Sequence, residues 1–256
     1  MSGMSVLVRK ELLESWRTMR LPIVGGLFLL VGLTSPLLAR FLPEIITAAA
    51  GDQLPAIPIP TPVAADAGVQ LWKNLAQFGA FAAIVLAMGS VATERDRGTA
   101  AFVLSKTVSR SAFLGAKVAG LGIVLAVCVV LAVAVGWVYT AILFEPLSIG
   151  GWIAFALLAW LGLAAWAAIT FLASTVTGST AAAAGIGFGA LLVLSLVAAI
   201  PNAGRFLPGG LAGPAIALAT GAPVATGDVL VPAVSTLVLI ALALGGAWWS
   251  FRRQEL

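Results

Sequence analysis

Six apolar runs, each long enough to cross a lipid bilayer as a helix, constrain this chain more than any other feature. A helix needs roughly 20 apolar residues to span the hydrocarbon core. The runs lie at about 21–42, at about 72–92, within 113–144, and at about 152–174, 180–200 and 229–249. Of the 256 residues, 61% are hydrophobic and 9% charged, so no stretch is polar enough for a separate soluble domain. The sequence predicts one all-α integral membrane domain, residues 1–256, with six transmembrane helices.

Several classes of chemistry are disfavoured by residues that the sequence lacks. It contains no histidine, and Cys128 is its one cysteine, so a Ser-His-Asp arrangement and the usual zinc ligand sets are excluded. No GxxxxGK[ST] loop occurs, so the usual phosphate-cradling ATP site is missing. No acidic or basic residue lies in the middle of an apolar run, which disfavours coupling to an ion gradient. We therefore predict that this chain is not an enzyme and holds no metal or cofactor of its own.

Basic residues concentrate in three segments: before the first run, between the second and third, and after the sixth. They are Arg9, Lys10, Arg17, Arg20, Arg95, Arg97, Lys106, Arg110, Lys117, Arg252 and Arg253. Cytoplasmic loops of membrane proteins collect Lys and Arg, so we expect these segments and both termini to be cytoplasmic. Two external regions follow from that topology. Residues 43–71, with PAIPIPTP at their centre, predict an extended loop, and residues 201–228, broken by Pro and Gly, predict short or re-entrant helices.

Residues 5–20 have the pattern of an amphipathic helix. At 100° per residue, one stripe is apolar and contains Val8, Leu12, Trp16 and Met19. The opposite side is charged and contains Lys10, Glu11, Glu14 and Arg17. Such a helix is expected to lie along the cytoplasmic membrane surface. The pattern leaves open whether it only anchors the chain or has a further role.

The most charged stretch is TERDRGTAAFVLSKTVSR, residues 93–110. Its acidic residues Glu94 and Asp96 contribute little to membrane orientation, so a purely topological loop does not need them. Gly98 permits a sharp turn, and Thr99 is a good N-cap for a new helix at about 99–106. That short helix would present the apolar group 102–104 at the cytoplasmic face, where it needs a partner.

The order of these residues resembles the signature of ABC-2 type permeases. The pattern E-R-D-R-G-T, then L-S-K-T-V-S-R and then Lys117, stands after the second of six apolar runs, as it does in that family. The N-terminal K-E-L-x-E and the Pro- and Gly-broken region before the last run also agree. The resemblance covers essentially the whole chain. It implies the membrane subunit of an ATP-binding cassette transporter.

In that family a short coupling helix docks into a separate ATPase subunit, and closure of the ATPases rearranges the membrane helices. Carried over to this chain, the coupling residues are Glu94, Arg95, Gly98, Thr99, Phe102, Leu104 and Arg110. The helix at 5–20 resembles the family's elbow helix, with Lys10, Glu11, Glu14 and Trp16 as its marker residues.

The resemblance also implies the setting and the partners. We expect a multi-pass protein of the prokaryotic plasma membrane that exports an unidentified substrate. The expected partners are the ABC ATPase subunit, which would bind ATP and Mg²⁺, a second permease chain in a homodimer or heterodimer, and membrane lipids, but no nucleic acid. An alternative function is a non-transporting, ATPase-coupled membrane module that acts mechanically on envelope proteins or assembles them.

Overall fold

The computed structural model describes residues 3–50, 61–96, 109–145, 147–200 and 202–253. Within these ranges, six helical segments are long and apolar enough to cross a membrane, which confirms the six predicted spans. The spans are Arg20–Ala48, Ala64–Asp96, Arg110–Leu143, Ile149–Thr177, Thr180–Ala198 and Thr226–Arg253. The described residues contain helices and turns but no strand, so the predicted all-α class is confirmed.

The α-helices are numbered in chain order. They are α1 (Gly3–Arg17), α2 (Arg20–Ala50), α3 (Ala64–Asn74), α4 (Ala80–Met88), α5 (Ala92–Asp96), α6 (Arg110–Leu143), α7 (Ile149–Thr177), α8 (Thr180–Ala198), α9 (Ala212–Thr220) and α10 (Thr226–Arg253). The predicted short helix at about 99–106 lies outside the described residues.

The predicted N-terminal helix is present as α1, and a tight turn separates it from the first span. Met19 has a φ of 60°, in the left-handed region, which interrupts the helix between α1 and α2. Helix α2 then continues to Ala50 and contains Pro36 and Pro43. The loop predicted at 43–71 is therefore helical at both of its ends, from Pro43 to Ala50 and from Ala64 onward. Backbone groups next to lipid have no water to bind, so continuing the helix satisfies more of them than an extended chain would.

The second span consists of three α-helices in series. A π-helical turn, Leu75–Gly79, joins α3 to α4, and a turn at residues 89–91 separates α4 from α5. At that turn the hydroxyl of Ser174, on α7, accepts hydrogen bonds from the backbone N–H groups of Val91 (3.2 Å) and Ala92 (3.1 Å). Because both donors are buried, their satisfaction by Ser174 allows the span to bend there without exposing backbone to lipid.

Serine N-caps begin three of the later helices. Ser109, Ser148 and Ser179 each accept a hydrogen bond from the backbone N–H three residues further on, at the starts of α6, α7 and α8. The Pro- and Gly-broken segment after α8 forms two 3₁₀ turns, Gly204–Phe206 and Pro208–Leu211, followed by α9. These short helices agree with the sequence pattern.

Helix α7 is the central element of the bundle. Its Phe155 and Phe171 are fully buried, whereas α8 and α10 carry strongly exposed leucines such as Leu192 and Leu242. In a membrane protein such exposed side chains are suited to lipid tails or to another membrane chain. Both α1 and the end of α10 lie at one end of the bundle, together with α5 and the start of α6. We call this the charged end.

Candidate functional site

Five charged side chains meet at the charged end, where α1, α5 and α6 come together. Glu94 Oε1 accepts from Lys10 Nζ and from Lys117 Nζ, both at 2.8 Å. Lys117 Nζ also lies 3.2 Å from Glu11 Oε1, and Lys10 Nζ lies 3.0 Å from both Glu11 Oε1 and Glu14 Oε2. We call these residues the ion cluster. It joins the N-terminal helix to the end of the second span and the start of the third.

The centre of the ion cluster is removed from water. Lys117 is 4% exposed and Glu94 is 9% exposed. An uncompensated charge at such a position costs several kcal/mol, so each of the two charges depends on its partners. The ammonium of Lys117 also lies 5.1 Å from the centroid of the Phe113 ring, within cation–π range.

Lys10 acts as the cation among three carboxylates. Oxygens of Glu11, Glu14 and Glu94 lie within 4.8 Å of one another, and Lys10 Nζ contacts all three groups. Burial lowers the pKa of Lys10, but hydrogen bonds to Glu94 and Glu14 outweigh it and hold the pKa above its usual value. Lys10 therefore remains charged at neutral pH, which relieves the repulsion among the carboxylates.

The ion cluster determines which side of α1 faces the protein. Glu11 and Glu14 are half-buried against the bundle, and a Cβ placed on Gly120 would lie 2.8 Å from the Glu11 Cβ. A glycine on α6 therefore allows α1 to approach closely. Trp16 is 62% exposed and Leu13 is 46% exposed. Glu11 and Glu14 of the predicted charged side thus pack inward beside Leu12 of the predicted apolar stripe, whereas Trp16 and Leu13 remain exposed.

Arg95 connects the end of the second span to the turn between α7 and α8. Its Nη1 donates to the carbonyl oxygen of Thr175 at 3.1 Å. The guanidinium also lies against Gly178, where an added Cβ would be 3.3 Å from Arg95 Cζ. Gly178 has a φ of 65°, the left-handed conformation that glycine adopts most readily at the end of a helix.

Arg110 connects the start of the third span to the end of the sixth. Its Nη1 donates to the carbonyl oxygens of Phe251 (3.3 Å) and Arg252 (2.9 Å) in the last turn of α10. These carbonyls have no partner within the helix, and a cation at a helix C-terminus is also favoured by the helix dipole. Stacking of the Phe113 and Phe251 rings, 5.7 Å apart, reinforces the same contact.

The predicted coupling residues fall into two groups. Glu94, Arg95 and Arg110 are described, and they bind within the chain on either side of residues 97–108. Gly98, Thr99, Phe102 and Leu104 lie outside the described residues. Contact of any of these residues with an ATPase remains a prediction.

Lys117 is a member of the ion cluster that was not predicted from the sequence as a site residue. The available signal was its position, since it is the one charged residue inside the apolar run 113–144. A charge within a membrane run is costly unless it has a function or a partner, and here the partner is Glu94.

Six spans, an N-terminal helix and a charged cluster at one end define an α-helical membrane protein. A sequence model described as ABC-2 family transporter protein matches residues 5–218. The "Uncharacterized transmembrane protein YxlG" of Bacillus subtilis (strain 168) is 31% identical over 222 residues, which cover 81% of each chain. The chain belongs to the ABC-2 transporter family, as the resemblance of the charged segment predicted. Its class is the membrane component of a transporter, and the match includes the whole ion cluster.

Proposed function

We propose that this chain is the permease subunit of an ATP-binding cassette exporter and that a separate ATPase subunit docks on residues 93–110. The observation that carries the proposal is the arrangement of contacts on both sides of residues 97–108. Glu94 binds α1 and α6 on one side, and Arg110 binds α10 on the other. A force applied to the segment between them would reach several spans at once.

The ion cluster and the two arginines are suited to transmit such a force. Buried ion pairs and hydrogen bonds to backbone carbonyls have narrow distance requirements, so a displacement of α5 is shared with its partners rather than absorbed. Arg95 links the charged end to the fourth span through the Thr175 carbonyl, and Arg110 links it to the sixth span. In this account, ATP-driven closure of the partner moves the charged end as a unit.

The partner must supply ATP chemistry. The sequence has no GxxxxGK[ST] loop, so ATP and Mg²⁺ would be bound by the ATPase subunit. Family resemblance supports a second permease chain, in a homodimer or heterodimer, and export as the direction. The plasma membrane of a prokaryote is the proposed location.

Charge asymmetry supports a cytoplasmic charged end. Among the described residues, that end carries nine basic residues: Arg9, Lys10, Arg17, Arg20, Arg95, Arg110, Lys117, Arg252 and Arg253. At the opposite end of the described chain the basic residues are Arg40, Lys73 and Arg205. The excess of Lys and Arg favours the cytoplasmic side, where ATP and an ATPase are available.

A co-purification experiment tests the proposal. The protein would be isolated in mild detergent from its native host as wild type and as the variant Phe102→Ser/Leu104→Ser, and bound ATPases would be identified by mass spectrometry. We expect an ATPase with a GxxxxGK[ST] loop with the wild type and much less of it with the variant. The control is Phe206→Ser, at the opposite end, which should retain the ATPase. Equal recovery with all three proteins, or with none, would contradict docking on this segment.

A second assay separates transport from the mechanical alternative. In liposomes containing the permease and its ATPase, a transporter is expected to hydrolyse ATP faster when its small-molecule or lipid substrate is added. Stimulation by an envelope protein alone would support the mechanical module instead.

A further inference from the structure

A pocket of about 210 Å³ opens at the charged end, between the start of α2, the end of α4 and the start of α8. One side of it is polar and carries Thr18, Arg20, Thr93 and Thr180. The other side is apolar and carries Ile23, Val24, Val85 and Met88. None of these side chains belongs to the ion cluster.

Gly89 creates the space into which the polar groups converge. A Cβ at Gly89 would lie 2.8 Å from Thr93 Oγ1, 3.8 Å from Arg20 Nη2 and 3.9 Å from Thr180 Cγ2. The hydroxyls of Thr93 and Thr180 are 3.5 Å apart, so one hydroxyl can donate to the other. The hydroxyl that accepts this bond still has its own hydrogen to donate to another group. The Arg20 guanidinium and the side chains of Thr93 and Thr180 therefore border a small space, which a methyl group at position 89 would fill.

Arg20 differs from the other basic residues around it. Lys10, Lys117, Arg95 and Arg110 all bind carboxylates or carbonyl oxygens. Within the part of the chain that the structure describes, the Arg20 guanidinium has no hydrogen-bond or ion-pair partner, although the residue is half-buried. Arg20 also borders a neighbouring pocket lined by Glu11, Glu14 and Glu94, but those carboxylates bind Lys10 and Lys117. The pocket therefore offers a cation to a ligand.

We infer that this pocket binds the phosphate headgroup of an anionic phospholipid. Arginine and hydroxyl donors suit phosphate oxygens. Arg20 is the first residue of the first span, which places its guanidinium at the level of lipid headgroups. Ile23 is 67% exposed and Val85 48% exposed, so the apolar side of the pocket opens toward the acyl chains. A free phosphate would contact only the polar side of the pocket. A phospholipid would contact the polar side with its headgroup and the apolar side with its acyl chains.

Lipid retention by the purified protein tests the inference. The protein would be equilibrated with micelles containing equal amounts of phosphatidylglycerol and phosphatidylcholine, and bound lipids would be counted by native mass spectrometry. We expect preferential retention of phosphatidylglycerol by the wild type. Arg20→Gln should weaken it about tenfold because a charge-assisted contact is lost, and Gly89→Ala should weaken it by filling the space. Arg17→Gln removes an equal charge three residues away and should retain the lipid.

Further controls distinguish lipid binding in this pocket from misfolding, from diffuse charge attraction and from binding of free phosphate. Each variant is required to elute as a single species in size-exclusion chromatography, and Thr180→Val, which keeps the side-chain shape, serves if Arg20→Gln does not fold. An equal loss with Arg17→Gln would show diffuse attraction and overturn the site. Displacement of the lipid by inorganic phosphate at millimolar concentration would identify a free-phosphate site instead. Equal retention of the two lipids by the wild type would overturn the inference altogether.

Discussion

Glu94 and Lys117 form a buried ion pair, with Oε1 and Nζ 2.8 Å apart, across the two sides of residues 97–108. The pair joins the last turn of the second span to the third span, and Lys10 attaches the N-terminal helix to the same carboxylate oxygen. The described residues on the two sides of this segment are thereby joined to each other and to the N-terminal helix.

Loss of one partner of this pair is expected to be strongly destabilising. Lys117→Met leaves Glu94 with Lys10 alone in a buried position, and Glu94→Gln leaves the buried Lys117 ammonium with Glu11 alone. Each change should lower the thermal unfolding midpoint in detergent, by the equivalent of at most about 3 kcal/mol because a second partner remains. The double variant should cost clearly less than the sum, because neither charge is then left without its partner. Additive losses would contradict a coupled pair.

The contact between α1 and the rest of the bundle is expected to depend on the charge of Lys10. It should not change with pH in the physiological range. With Cys128 replaced by alanine, a spin label at Leu13 reports the motion of α1. Lys10→Ala should increase label mobility, whereas Arg9→Ala, a neighbouring exposed charge, should not.

The pH dependence follows from the raised pKa of Lys10. Stabilisation by a raised lysine pKa is complete below the usual value of about 10.4 and is lost as pH rises through the higher folded value. Label mobility should therefore stay constant between about pH 6 and 9 and increase only in stronger alkali. A change near neutral pH would show that another group controls the contact.

Removal of Arg110 is expected to loosen the end of α10. Arg110→Ala leaves the carbonyls of Phe251 and Arg252 without this donor, so hydrogen exchange in residues 248–253 should accelerate about tenfold, the equivalent of one charge-assisted bond. The matched control is Arg253→Ala, because that guanidinium lies over the Trp249 ring, 3.9 Å from its centroid. Equal acceleration in both variants would contradict a specific role of Arg110.

Gly178 is expected to tolerate no side chain. Gly178→Ala places a Cβ at a φ of 65° and 3.3 Å from the Arg95 guanidinium, which should cost about 1–2 kcal/mol of stability. Gly213→Ala is the control, since nothing lies within 4 Å of a Cβ at that helical position. Thermal unfolding that is unchanged by Gly178→Ala would show that the turn between α7 and α8 can relax.

Much of the fold was predictable because the bilayer imposes one requirement on every span. Roughly 20 apolar residues per helix located all six spans, and the Pro- and Gly-broken segment after α8 indicated short helices. The ends were less predictable, because α2 continues to Ala50, past residue 43, where the extended loop was predicted to begin. In lipid, an interrupted helix exposes more unsatisfied backbone than one proline removes.

The site was predictable in its position but not in its pairings. The unexpected acidic residues in the charged stretch indicated Glu94, and the family resemblance added Arg95 and Arg110. Local sequence contains no indication that Glu94 meets Lys10, 84 residues away. Such pairs depend on how α1 packs across α6, which in turn depends on the missing side chain of Gly120. The helical wheel separated charged from apolar faces, whereas the side of α1 that packs inward contains residues of both, Glu11 and Glu14 together with Leu12.

The most direct test of the central claim is site-specific photocrosslinking from position 102 in native membranes. A photoreactive phenylalanine analogue would replace Phe102, with Phe206 as the matched position at the opposite end. Upon irradiation, we predict a covalent adduct between this chain and an ATPase with a GxxxxGK[ST] loop from position 102 and none from position 206. No ATPase adduct from position 102, or equal adducts from both positions, would contradict docking on the charged segment.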